Sequence, residues 1–372
     1  MKDIHLGENL VKNRRSRGIT QDELAEYMGV SRAAVSKWET SSAYPDIFML
    51  PKLAAYFGQS IDSLIGYEPQ MEREEIRKWY RTLSEEFSSL PFSEALAHCR
   101  ELIKKYYSCC PLLFQMGALL VNHAALAGSQ EEAVQILEEG MRLFRRAREK
   151  TEDPLLGKDA LQMEAWCQLV LGHPEQTLEL IGPDRTSLPV WALRSSACQM
   201  LGDNRTARQT LQAGIYQETV SLLSLLTASM GLCLEDPEYF SEVCSRSIHL
   251  ADTFCLEQLH PGIMSSCYIK IAAGWAALGR CEQALDILER YTALACGNIY
   301  PLHLHGDSFF DLLDDWLKEN TDLGDYLPRS QKLIRTDIAR AVTENPCFSV
   351  LAQYSRFQSA VQQLKRLEEE SL

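Results

Sequence analysis

Within ITQDELAEYMGVSRAAVSKWE, residues 19–39, four side chains recur on one side of a short helical period: Arg32, Ala33, Ser36 and Lys37. Their chemistry matches the edges of base pairs. Arg and Lys donate to guanine O6 and N7, a Ser hydroxyl donates or accepts, and an Ala methyl packs on the thymine methyl. Ser31 opens this period and Thr40 extends the same polar side. At 100° per residue, Val35 and Trp38 point the opposite way, so the sequence predicts a helix with one side in a core and a basic side of short residues outside. Gln21 stands where a preceding helix would expose its first backbone N–H groups to a phosphate, and Lys12, Arg15 and Arg17 add positive charge nearby. Lys52 is a further candidate.

Positioning such a surface requires fixed helix ends, and the residues for that are present. Thr20 with Glu23 forms a capping box, Gly29 permits a sharp turn after Met28, and Ser31 caps the next helix. Leu24, Ala25 and Met28 share one face, with the small Ala25 leaving room for a close crossing. The longer segment GENLVKNRRSRGITQDELAEYMGVSRAAVSKWETSSAYPDIFMLPKLAAYFGQSIDSLIG resembles the Cro/CI-type helix-turn-helix domain of XRE-family regulators over about 60 residues. The resemblance implies a five-helix fold, Gln21 on the phosphate backbone, bases read from Arg32, Ala33, Ser36 and Lys37, and a buried Arg14–Glu39 pair bracing the first and third helices. Departures at Asn13, where the family often has Leu, and at Ser41, where it often has Gly, touch helix packing and the following loop.

Other chemistry is thin. His303 and His305 with Asp307 lack the further ligands of a metal site, and Cys109 and Cys110 are neighbours that chelate poorly. Gly-rich phosphate loops, HExxH and GxSxG motifs do not occur, so neither enzyme activity nor a cofactor is expected. Twelve cysteines without a CxxC pair read as reduced, core-filling thiols of a cytoplasmic protein. The sequence opens without a charged region followed by an apolar run, and no secretion is expected.

The chain carries a net charge of −14, unevenly placed. Residues 1–66 hold eight basic and eight acidic side chains, so the whole excess falls on the remainder, and the two parts face different partners. Gly66-Tyr67-Glu68-Pro69 marks the boundary. The parts read as a DNA-binding domain at 4–66, a linker and connecting helix at 67–87, helical repeats at 88–296 and capping helices at 297–372. Two stretches without charge, 111–127 and 219–234, are too short to span a membrane and are expected to be buried helices.

Five junctions support the repeats: LAGSQEEAVQIL, VLGHPEQTLELI, MLGDNRTARQTL, CLEDPEYFSEVC and ALGRCEQALDIL. In each, a helix ends, a polar turn follows and a second helix opens. Small residues at Ala133, Thr177, Ala207 and Ala284 permit close approach, and Leu137, Ile181, Leu211 and Leu288 are expected to fill the seams, with Phe240 and Cys244 breaking the pattern. This resembles degenerate tetratricopeptide repeats. The expected fold is therefore all-α: a five-helix head followed by a tetratricopeptide-like α-solenoid whose concave side offers Gln115, Asn122, Gln162 and Arg194 to an effector.

The expected function is that of a sequence-specific regulator of transcription. It would act as a homodimer on palindromic double-stranded DNA, away from membranes, with an effector altering the spacing of two heads. The plan of head plus repeats is similar to peptide-pheromone-responsive regulators, which implies a short peptide as one effector. The rival expectation is a DNA-tethered scaffold docking a partner protein on the repeats.

Overall fold

A computed structural model of the chain describes residues 5–66, 71–182, 190–324 and 326–369, and contains no strand among them. Of the boundary signal, Tyr67, Glu68 and Pro69 lie outside the described residues.

The head consists of α1 (Leu6–Ser16), α2 (Gln21–Met28), α3 (Arg32–Glu39), α4 (Met49–Phe57) and α5 (Ile61–Ile65). Five short helices cannot stabilise themselves in isolation and depend on a shared apolar centre. Leu10, Leu24, Val35, Leu53 and Leu64, one from each helix, are fully buried together, with Trp38 beside them.

The body opens with α6 (Arg73–Ser89), α7 (Phe92–Lys105) and α8 (Cys110–His123). Ile76, Tyr80, Leu83 and Phe87 of α6 sit in one core with Leu112, Met116 and Leu119 of α8. The expected connecting helix is thus a core element of the body. Next come α9 (Gln130–Lys150), α10 (Pro154–Val170), α11 (Pro174–Ile181), α12 (Val190–Met200) and α13 (Asn204–Ser229). They are followed by α14 (Pro237–Thr253), α15 (Leu256–Leu259), α16 (Pro261–Ala277), α17 (Cys281–Ala295), α18 (Leu313–Asn320), α19 (Gln331–Thr343) and α20 (Ser355–Glu369). All five predicted junctions are turns between helices, and neighbours pair as α8 with α9, α10 with α11, α12 with α13 and α16 with α17. The architecture is all-α, a helix-turn-helix head followed by a solenoid-like run of helical hairpins.

The seams depart from expectation at two places. Leu288 is buried, but Ile181 and Leu211 face solvent, because among the described residues no helix packs over that side of α11 and α13. The stretch 111–127 is largely buried as read, whereas 219–234 is not: Leu222, Leu225 and Leu232 are exposed.

Helices α19 and α20 pair and pack on α17, with Arg356 reaching Glu282, Asp286 and Glu289. The segment 300–330 before them does more than cap. It runs back against helices far away in sequence, where Arg77 donates to the carbonyls of Lys318, Thr321 and Asp322 and Tyr80 donates to Pro328 O. Gln212 of α13 grips the segment's backbone with both ends of its amide, donating to Phe309 O and accepting from Leu312 N.

Of the twelve cysteines nine are buried or half-buried, as core-filling thiols would be, and Cys255, Cys296 and Cys347 are exposed. No helix among the described residues is long and apolar enough to cross a membrane.

Candidate nucleic-acid interface

The ends of α2 and α3 are built as the sequence predicts. Glu23 N donates to Thr20 Oγ1 at 3.2 Å while Thr20 N donates to Glu23 Oε2 at 2.7 Å. Gly29 takes φ +70°, a conformation strained for any residue with a Cβ, and Ser31 Oγ accepts from Ala34 N at 3.2 Å. These caps leave the first N–H groups of both helices without intrahelical partners, where an anion can be bound.

Val35 and Trp38 anchor α3 from below. On its other side Arg32, Ala33, Lys37 and Thr40 are exposed and Ser36 is half-buried, with Ser31 exposed at the start. Arg32 lies 3.6 Å from Asp22 of α2, and both side chains are about two-thirds exposed. Such a pair is weak and leaves the guanidinium available. Thr40 turns back on its own helix, its hydroxyl donating to Ser36 O at 2.9 Å, so it closes α3 as well as bordering its polar side.

A buried network ties α1 to α3. Glu39 accepts from Arg14 Nε at 2.6 Å and from Arg14 Nη2 at 3.0 Å, while Arg14 Nη1 donates to Ile19 O at 2.9 Å. The side chains are 13% and 4% exposed. Burial pushes the Glu39 carboxyl up, but hydrogen bonds from Arg14 and Gln21 and the charges of Arg14 and Arg15 outweigh it and hold the group below the ordinary carboxylate range. The hydrogen bond to Glu39 in turn raises Arg14 above its ordinary value.

Two residues expected to face phosphate are engaged inside the domain. Gln21 Nε2 donates to Glu39 Oε2 at 2.8 Å, which joins α2 to the network. Arg17 donates to Tyr56 O and lies over the rings of Tyr56 and Phe57, closing the C-terminus of α4. Lys12, Arg15 and Lys52 are exposed.

Two features, at Gly7 and in the loop after α3, escaped the sequence reading, and a third accounts for the departure it named at Ser41. Gly7 lets α1 approach the end of α3, since a Cβ there would stand 2.8 Å from the carbonyls of Trp38 and Glu39. Ser41 adopts φ +56°, which explains why glycine suits this position. The loop after α3 exposes Tyr44, Ile47 and Phe48, an irregular stretch that carries no periodic signal.

The residues proposed to meet an effector do not form one open surface. Gln115 is buried and donates to Asp322 Oδ2 at 2.8 Å, so the chain's own segment covers it. Asn122 donates to Ala118 O within its helix, and Gln162 and Arg194 are exposed on α10 and α12. Of the doubtful metal set, Asp307 accepts from the N–H groups of Phe309 and Phe310 and His305 bonds the Gly306 carbonyl. No group of three or more His, Cys, Asp or Glu side chains suited to a metal occurs among the described residues.

Residues 10–64 match the helix-turn-helix family. The chain is 37% identical over 65 residues to the HTH-type transcriptional activator BcrR of Enterococcus faecalis, a match covering 18% of this chain and 32% of that protein. It is 38% identical over 71 residues to YonR, a prophage-derived uncharacterized HTH-type transcriptional regulator of Bacillus subtilis, covering 19% and 66% of the two chains. It therefore spans about a third of one curated relative's length and less than two-thirds of the other's. No solved structure matches. The N-terminal part of the chain, from residue 10 to residue 64, is an XRE-type helix-turn-helix domain.

Proposed function

We propose that the protein is a sequence-specific DNA-binding regulator of transcription, without enzyme activity, that works in the cytoplasm as a homodimer on a palindromic operator. The observation that carries this reading is the outer side of α3. Arg32, Ala33 and Lys37 stand clear of the core, with the half-buried Ser36 among them, on a helix whose opposite side is locked by Val35 and Trp38. A helix of this width enters the major groove, where Arg32 and Lys37 meet guanine edges and Ser36 and Ala33 read their neighbours. Lys12 and Arg15 supply contacts to phosphate, which position the domain without reading sequence. Both named relatives are called transcriptional regulators, which supports the same use here.

The body, read as degenerate tetratricopeptide-like hairpins, responds to an effector. A cavity of about 480 Å³ between α16, α19 and the 327–329 turn supports this, with Ile269, Leu302, Pro328 and Ile338 as its apolar lining and Ser265, Lys270, Asp337 and Asn122, the last one of the expected effector residues, among its polar groups. Its size suits a small ligand. Pro328 also accepts from Tyr80 and Ser84 of α6, the helix that follows the head in sequence, so an occupant has a route toward the DNA-binding domain.

The test is titration of the Arg32→Ala, Lys37→Ala variant against a selected duplex and a scrambled one. Each lost base contact costs ~1–3 kcal/mol of discrimination, so the preference for the selected duplex falls by roughly 30-fold or more. An unchanged preference would remove the assignment.

A further inference from the structure

The 26-residue helix α13 is apolar on two sides, and only one of them is covered. Gln212, Tyr216, Thr219 and Leu223 pack inward against the rest of the body. On the outer side Leu211, Ile215, Glu218, Leu222 and Leu225 follow at intervals of four, three, four and three residues, and Leu232 continues the line in the turn beyond. The apolar members of this line are all exposed, Leu225 at 69% and Leu232 at 88%. A helix hydrophobic all round is normally buried all round, and alternation of four and three is the spacing with which one helix seats against another.

We propose that this stripe is the interface with a second copy of the chain, the two α13 helices crossing antiparallel about a two-fold axis near Leu222. The proposal rests on the dimeric reading above and gives it a surface. The exposed apolar side chains of the stripe, Leu211, Ile215, Leu222, Leu225 and Leu232, amount to roughly 500 Å² of contiguous apolar surface. Monomers rarely leave so much uncovered.

The charge pattern selects both the occupant and the direction. Between Arg208 and Glu235 the only charged side chain is Glu218, so the stripe offers little to a charged partner. A parallel pairing would set Glu218 against its own counterpart. In the antiparallel arrangement Leu222 meets Leu222, Leu211 meets Leu232 and each Glu218 lies beside the other copy's Leu225. The two carboxylates are then about 12 Å apart along the helices at 1.5 Å rise per residue, beyond the ~8–10 Å over which exposed charges interact at ordinary salt.

The experiment measures the mass of the full chain by light scattering without DNA. The expected result is about twice 42.1 kDa for the wild type and a single chain for Leu222→Glu, Leu225→Glu with an unchanged helical spectrum. For direction, Leu222→Cys and Ile215→Cys are compared in a background with Cys255, Cys296 and Cys347 changed to Ser. Mild oxidation links the chains through Cys at 222 and not at 215, whose counterparts lie roughly 21 Å apart. Because the Cys variants alter the surface little, they test the interface even if the Glu variant misfolds. A monomeric wild type, or a Leu222→Glu, Leu225→Glu chain that stays dimeric, overturns the interface, and equal linkage at both positions overturns the antiparallel arrangement. Since no DNA is present, these outcomes leave the reading of α3 standing or falling on its own test.

Discussion

Glu39 keeps its charge although its side chain is almost fully buried, because Arg14 and Gln21 direct three N–H groups at it. Removing one partner of such a pair leaves the other stranded, and Glu39→Ala is expected to destabilise the head by about 3 kcal/mol in thermal or denaturant unfolding. The pH dependence follows from the lowered Glu39 value. The stabilisation is fully present above the unfolded carboxyl's ordinary value of 4.5 and is lost as pH falls through the lower folded value, so acid unfolding of the head shifts to higher pH in Glu39→Gln. At this scale the sequence was partly readable. Thr20, Glu23, Gly29 and Ser31 announce the helix ends because caps are local, and the Arg14–Glu39 pair was implied by the resemblance. The attachment of Gln21 to Glu39, and of Arg17 to the end of α4, depends on how helices cross and has no local signature.

At the level of elements, the segment 300–330 is the feature that hairpin periodicity conceals. It is held by side chains more than two hundred residues away, chiefly Arg77, which grips three carbonyls. Arg77→Ala is expected to free this segment, giving faster cleavage between 318 and 330 in limited proteolysis with the overall helical content retained. Cleavage at the wild-type rate would show that other contacts suffice. His123 sets a second test. Burial drives it down to about 4, against an ordinary value of 6.5, and it stacks on Phe87 while its Nδ1 bonds Leu119 O. Unfolding therefore takes up a proton between those values, and the body's stability falls as pH drops from 6.5 toward 4. In His123→Phe the melting temperature should be flatter across that window. The five junctions were visible because each ends in a turn, but the exposure of Ile181 and Leu211 depends on which of the described helices pack beside them.

As a whole molecule, the protein joins a head of zero formal charge to a body carrying all of the −14 excess, so attraction to DNA must come from a few placed cations. Lys12 is one, and Lys12→Ala is expected to weaken binding alike on every duplex and to reduce the dependence of log affinity on log salt by ~0.9. Arg32 and Lys37 differ from it in kind, because their loss should erase preference between sequences. The most direct test of that distinction, and of the regulator assignment, is selection of bound duplexes from a random pool by the full chain. The expected outcome is a two-fold symmetric site with half-site centres about one helical turn, ~34 Å, or a multiple apart, together with loss of enrichment for Arg32→Ala, Lys37→Ala. Recovery of no preferred sequence by the wild type, or of the same site by that variant, would contradict the account.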